Sequence, residues 1–483
     1  MENTKLIQVL QSLSPLEMKR FDKFVHSPYF NSHEDTTALF EVLKEYYPDF
    51  NHPQLDNQKI FARLYPGKRF QANQIYTLNK YLLNLLLEFL AQEEVENESF
   101  LSKELALKRA LYKKQLHKFL PRLFEKSEEK LEDHPYRNAR FFQESYRLEE
   151  LKTEYVVNLK NRSVETSYKT AMEQLDAYYL VQKLSYIFAL LNRQRVLANE
   201  EDIQLLEEII AFCEKKDLSD WPVVEIYFRT VMMLKSPNGS NYFNLLRKEL
   251  PQKAHWFEKQ ELTALYTSLI NFCTQRYKRG NMAFLRYMFE LYKEMLELDI
   301  LFTVPHVASL FYKNVVTLGL KLKEGEWTEQ FIKTYKDRID PQYRKGVFNY
   351  NMANLHFFKG DYSKCLKYLQ RVEIIDPFIK LNYDMLLMKT YYECGEIEAL
   401  YSLCASFSAY IRRNNALSDN NKQAYLNMAK YMRRLAKVKF VNKHRLPALR
   451  ESFYEVSLLV ERDWIAEKIE ELSKNLRRRY RPD

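Results

Sequence analysis

Apolar positions in this chain recur at intervals of three and four residues, the spacing that gathers side chains on one face of an α-helix. Ser14-Pro15-Leu16-Glu17 reads as a helix start, with Ser as N-cap, Pro at the first helical position and Glu placed to close a capping box. The helix it opens runs to about His26 and sets Met18, Phe21, Phe24 and Val25 along one side. Ser27-Pro28-Tyr29-Phe30-Asn31 then breaks it, because proline disfavours α geometry in the residue before it. A second helix carries Leu39, Phe40, Val42, Leu43 and Tyr46, and a third spans Asn57–Leu64 before Pro66-Gly67. A fourth covers Asn73–Ala91. Its segment Tyr81–Leu90 is apolar on nearly every side, which predicts the central helix of a small bundle. These elements make a first module over residues 1–95, and the acidic run Glu93–Glu98 reads as a solvated linker after it.

From Ser99 to Asn199 the pattern is long, charged helix, with Pro121 and Pro135 as breakers. Opposite charges recur at helical spacing, as in Glu104 with Lys108 and Lys126 with Glu129. Tyr178, Tyr179, Val181, Leu184, Ile187, Phe188 and Leu191 form a broad face rather than a sustained a/d seam. Stacked antiparallel hairpins are therefore expected over residues 99–240.

Beyond residue 240 the chain repeats itself. Gly280, Gly325, Gly360 and Gly395 each separate two apolar-periodic segments of helix length, and the last three lie at equal intervals. Each of those three precedes an acid and a large apolar residue: Gly325-Glu326-Trp327, Gly360-Asp361-Tyr362, Gly395-Glu396-Ile397. Ile339-Asp340-Pro341 and Ile375-Asp376-Pro377 close two of the units. A period of this length marks a helical repeat. The stretch Asn351–Leu366 resembles a tetratricopeptide repeat: Ala353 at the small position of the first helix, Gly360 in the turn, Tyr362 opening the second helix, Cys365 in place of the small Ala, and Pro377 ending the unit. The next unit matches through Leu387, Met388, Tyr391, Gly395 and Leu400, and the unit around Gly325 keeps turn and terminus with Gln330 where a small residue is expected.

Composition agrees with an all-α chain of stacked helix pairs behind an N-terminal helical bundle, with residues 241–483 as tetratricopeptide-like repeats ending in basic helices. Only 8 residues are Gly and 15 Pro, against roughly 34 and 24 for a chain of this length at average usage. Before Ser236 the sole glycine is Gly67, which removes the glycine-rich turn that a nucleotide-binding α/β fold needs. The 35 Tyr and 31 Phe suit packing between helical layers. Cys213, Cys273, Cys365, Cys394 and Cys404 show no CxxC spacing and read as small buried hydrophobes in a reducing compartment. Neither a signal peptide nor a membrane span is expected, so the chain is predicted to be cytoplasmic.

Chemistry is sparse. No HExxH, GxSxG, GxxxxGK[ST] or GxGxxG occurs, and Pro66-Gly67-Lys68-Arg69 is a turn. The nine histidines are dispersed; His26 and His33, with Asp35 nearby, are read as capping and surface groups rather than ligands. No metal, cofactor or catalytic residue is assigned. Two candidate binding surfaces stand out. The tetratricopeptide resemblance implies a partner groove lined by Tyr350, Asn354 and Phe357 of one unit and Met385, Lys389 and Tyr392 of the next, with Asn354 and Lys389 holding a peptide backbone or carboxylate. The net charge is +10, and Lys430, Arg433, Arg434, Lys437, Lys439, Lys443 and Arg445 form an acid-free basic segment, joined at the terminus by Arg477-Arg478-Arg479-Tyr480-Arg481. Such a patch attracts polyanions. The expected function is a non-enzymatic scaffold or adaptor for a peptide or partner protein; the alternative is a nucleic-acid-associated regulator using the basic patch or the N-terminal bundle.

Overall fold

A computed structural model describes residues 4–98, 101–158, 164–197, 202–236, 239–303, 305–373, 377–414 and 417–479. Among them the chain is all-helical, with 23 α-helices, short 3-10 turns, one π turn and no strand. It divides into two compact units, Met1–Lys183 and Leu184–Asp483.

In the first unit, α1 (Lys5–Ser12), α2 (Pro15–Val25), α3 (Glu34–Lys44) and α4 (Asn57–Leu64) all pack on α5 (Ala72–Glu98). The predicted capping box opens α2: Glu17 N–H donates to Ser14 Oγ at 3.3 Å, and Ser14 N–H donates to Glu17 Oε2 at 2.7 Å. Those bonds hold the Glu17 carboxyl below its usual range. The preceding helix α1 escaped the sequence reading; Thr4 caps it, and Leu6, Ile7 and Leu10 bury its inner face. Helix α5 is central, with Ile75, Leu82, Leu86 and Phe89 in the core, yet Tyr76, Tyr81 and Leu87 point to solvent. The acidic segment expected as a linker instead continues α5 to Glu98, and Glu93 pairs with Arg20 at 2.6 Å.

A second core, from Leu101 to Leu151, lies within α6 (Ser102–Lys113), α7 (Leu120–Glu132) and α8 (Ala139–Asn158). Glu104 and Lys108, opposite charges at helical spacing, are joined through Ser127 rather than directly. Lys108 is buried and donates to Ser127 Oγ at 2.5 Å, and Ser127 donates to Glu104 Oε2 at 3.0 Å. Burial pulls the Lys108 ammonium below its ordinary value. The division between units falls inside α9 (Val164–Leu197).

The second unit continues with α10 (Leu206–Lys215), α11 (Pro222–Lys235), α12 (Gly239–Lys253), α13 (Lys259–Lys278), α14 (Ala283–Glu297), α15 (Pro305–Lys321), α16 (Gly325–Thr334), α17 (Pro341–Phe358), α18 (Tyr362–Leu369), α19 (Pro377–Cys394), α20 (Ile397–Arg413), α21 (Asp419–Ala436), α22 (Leu446–Glu455) and α23 (Arg462–Arg479). Helices pack in sequence order: α11 on α12, α13 on α14, α15 on α16, α17 on α18 and α19 on α20. Pairs then meet through α14 with α15, α15 with α17, α17 with α19 and α18 with α19. Residue 240 is no break here, since α11 and α12 pack together across it.

Aromatics fill the gaps between pairs. Phe243 of α12 stacks on Phe272 of α13 at 5.2 Å, and Phe289 of α14 meets Trp327 of α16 at 4.8 Å. Ala353 and Cys365, the small positions of the best repeat, are both fully buried in one cluster with Leu369 and Leu386. In the preceding unit Gln330 is exposed. The close approach is made by Gly319 and Thr328, where a Cβ on residue 319 would meet Thr328 Oγ1 at 2.2 Å. Gly360 and Gly395 adopt the left-handed conformation that ends a helix, but at the earlier turn Lys323 does so (φ 63°), and Gly325 instead opens α16. Ile375 and Asp376 lie outside the described residues.

Leu86→Ala removes a fully buried side chain from the centre of the bundle and is expected to cost about 2–5 kcal/mol in chemical denaturation. Ser14→Ala is expected to cost about 1 kcal/mol through the lost cap, and Tyr76→Ala, largely exposed, less than about 0.5 kcal/mol.

Candidate functional site

The groove residues sit where helical geometry puts them. Asp340 caps α17 by accepting from Gln342 N–H at 2.8 Å, and Pro341 occupies the first helical position. Tyr350, Asn354 and Phe357 therefore share one face of α17, and Met385, Lys389 and Tyr392 one face of α19, each set at i, i+4, i+7. The two helices pack together. The α19 side of the face between them is nonetheless covered. Met385 and Tyr392 are buried, and Lys389 exposes only 12% of its side chain. The cover comes from the C-terminal helices. Trp464 of α23 meets the Tyr392 ring edge-on at 5.4 Å, and Phe440, in the π turn Lys437–Val441 after α21, lies 6.1 Å from it.

The polar members are also engaged. Asn354 Nδ2 donates to the Tyr350 carbonyl at 3.2 Å, within its own helix. Lys389 lies 5.3 Å from the Phe357 ring centroid and pairs with Glu461 at 2.9 Å. Burial by itself would raise the Glu461 carboxyl; the Lys389 ammonium outweighs it and holds the group below the usual glutamate range. Burial also pushes the Tyr350 hydroxyl above its ordinary value. Lys389 and Tyr392 meet the C-terminal helices, Met385 and Tyr392 are out of reach of a ligand, and Tyr350, Asn354 and Phe357 stay half-buried on α17.

The basic segment splits in two. Arg434 donates to Ser452 Oγ at 2.6 Å and to the Ala448 carbonyl at 3.3 Å, tying α21 to α22. Lys439 lies 4.3 Å from the Tyr392 ring centroid and 3.6 Å from Glu393. These two cations serve the fold. Lys430, Arg433, Lys437, Lys443 and Arg445 are exposed. The first three lie at i, i+3, i+7, one stripe along α21 and its continuation. Among the described residues no carboxylate pairs with any of the five. Nothing is described of the Arg477–Arg479 side chains, and Tyr480 and Arg481 lie outside the described residues.

Of the histidine–acid group, His33 stacks on Tyr81 at 5.0 Å and Asp35 accepts from the Tyr65 hydroxyl at 2.5 Å. His26 gathers a different set, Asp22 and Glu41. There the Lys44 ammonium lies 2.8 Å from Asp22 and 3.7 Å from Glu41, so the protein's own cation already neutralises the acids. Those acids raise the Lys44 pKa, the Asp22 hydrogen bond foremost. Four cysteines are buried, and burial pushes Cys213 and Cys365 up to about 11 and Cys273 and Cys404 up to about 12; Cys394 is exposed.

One open site was missed in the sequence. Lys293, Leu296 and Glu297 of α14 and Trp327, Gln330, Phe331 and Thr334 of α16, with Tyr335, line a cleft of about 270 Å³. Phe331 and Leu296 supply its apolar floor. Trp327 stacks on Phe331 at 5.5 Å, and the Lys293 ammonium lies 5.1 Å from the Trp327 ring centroid. Glu297 and Gln330 stand exposed at the rim. The signal available was Trp327 in the Gly-acid-aromatic turn, which also packs between pairs and so read as core. No protein-family model, curated protein or solved structure matches the chain, and no described helix is long and apolar enough to cross a membrane.

Lys389→Met keeps the stem over Phe357 and leaves Glu461 without its cation. The expected loss is roughly 1–3 kcal/mol, below that of a fully buried pair because Glu461 keeps about a third of its side chain in water. Because the folded Glu461 pKa is depressed, the pair's contribution is present above the unfolded glutamate value and fades as pH falls through the folded one. Wild type and variant, compared by thermal denaturation, should differ at pH 7 and converge in acid.

Proposed function

We propose that this chain is a non-enzymatic interaction scaffold in which residues Leu184–Asp483 form a tetratricopeptide-like α-solenoid that binds a polypeptide partner. The observation that carries this reading is the open cleft between α14 and α16. At about 270 Å³ it lies below the ~300–1,000 Å³ typical of sites that enclose a small molecule. It has the size of one or two side chains. An apolar floor, a tryptophan wall and a rim of amide and charged groups suit a hydrophobic residue of a peptide whose backbone stays at the surface. Sequential packing of helix pairs supports the solenoid part, since each pair covers the next and leaves such clefts between second helices.

A photo-crosslinker at exposed Gln330, used in the native cell, is expected to trap a discrete polypeptide. Lys293→Glu, which reverses the charge at the cleft wall, should abolish that adduct while leaving the circular dichroism spectrum unchanged. Absence of an adduct, or an adduct indifferent to Lys293→Glu, would reject the cleft as a docking site.

The five exposed cations support a second reading, a polyanion bound along α21 and its continuation. Duplex DNA contacting three to five of them would show a log K versus log salt slope of roughly −3 to −4.5, abolished by Lys430→Glu with Lys437→Glu. Retention independent of salt would remove this reading.

A further inference from the structure

Within the first unit, α9 carries two different apolar faces. Ala177, Leu180 and Val181 are buried. Tyr168, Met172, Leu175 and Tyr179 are exposed by 50%, 59%, 41% and 42%. These four are separated by four, three and four residues, the a/d spacing of a coiled-coil seam rather than the wider stripe of a helix packed on a globular core. Assigning Met172 and Tyr179 to a and Tyr168 and Leu175 to d makes Lys169 and Asp176 the flanking e positions, and both are exposed. Alongside lies a groove of about 400 Å³, bounded on α8 by Tyr146, Thr153 and Val157. The surface has the shape of a seat for one more helix.

We propose that the occupant is α9 of a second copy, running antiparallel, so that the chain forms a two-fold homodimer. The sequence of the seam selects both partner and register. In an antiparallel pair each a residue faces a d residue of its partner. A two-fold axis between residues 173 and 174 places Met172 against Leu175 and Tyr179 against Tyr168, twice each by symmetry, giving four filled apolar layers. The same axis brings Lys169 of each copy beside Asp176 of the other, two opposite-charge contacts. Shifting the register by one heptad toward the C-terminus would face Lys169 with Lys183 and Asp176 with itself, so like charges reject it. The four seam residues would cover roughly 400 Å² per copy, about half of the ~800 Å² per partner of a stable interface, and the α8 wall supplies further area. A weak, concentration-dependent dimer is therefore expected. The cleft at α14 and α16 plays no part in this inference, and either can fail without the other.

Sedimentation velocity of the full chain over a range extending to about 100 μM, well above a micromolar dissociation constant, tests it. Wild type should approach twice the 58.3 kDa chain mass. Leu175→Glu, at an exposed position, should stay monomeric throughout with an unchanged helical spectrum. Lys169→Asp should weaken association at least tenfold, and Lys169→Asp with Asp176→Lys should restore it by recreating the pairs in reverse. A wild type that stays monomeric, a dimer indifferent to Leu175→Glu, or a double variant as weak as the single one would each overturn the proposal.

Discussion

The second unit depends on one constraint: the apolar sides of its helices must be covered, and helices that follow one another in sequence cover them, α14 meeting α15, α15 meeting α17 and α17 meeting α19. Tyr312, Tyr266 and Tyr292 are buried to the ring, and their hydroxyls find partners on neighbouring helices: Tyr266 with Glu294 and Tyr312 with the Ile332 carbonyl inside a pair, Tyr292 with Asn314 between pairs. Large aromatics are tolerated between layers because each polar tip meets an acceptor or donor on a neighbouring helix. On α19 and α20 the cover comes from α21, α22 and α23, which join Met388, Tyr392, Cys404 and Phe407 to Leu435, Leu449, Ile465 and Ile469 in one core.

Turns between helices follow from backbone chemistry more than from any one residue type. The helix ends at Gly280, Lys323 and Gly360 share a pattern in which the left-handed residue donates to the carbonyl three before it and its successor donates to the carbonyl five before its own position. Glycine adopts that conformation without a Cβ penalty, and Lys323 bears it at some cost. In that unit Gly319 leaves room for Thr328, which a Cβ would meet at 2.2 Å, so α15 and α16 approach closely.

Much of the fold was legible. The Ser14 cap and the Asn57–Leu64 helix rest on local rules, and local rules are written in local sequence. What sequence reading lost was non-local. Helix α1 is no shorter than α4, but Thr4 alone caps it and neither proline nor a capping box marks its start. Glu104 and Lys108 read as opposite charges at helical spacing, a local pattern, whereas Ser127 of α7 stands between them and Lys108 is buried. Tyr350, Asn354 and Phe357 share a face of α17 and Met385, Lys389 and Tyr392 one of α19, but nothing near residues 389 or 392 announces that Glu461 pairs with Lys389 and Trp464 meets Tyr392. The basic segment shows the same limit: composition marked seven cations, and tertiary contacts withdrew Arg434 and Lys439. The cleft at Trp327 was hidden because an aromatic in a repeat turn is usually core, and Trp327 is partly that.

Nearest-neighbour burial has a direct test in native-state hydrogen exchange after a single core truncation, Leu435→Ala, at a fully buried position of α21. If each pair is stabilised by its neighbours, amides in α19 to α23 should lose most protection and the effect should fade along the chain toward α11 and α12. Equal loss of protection across all of Leu184–Asp483 would mean a single closed core instead, and would contradict the account.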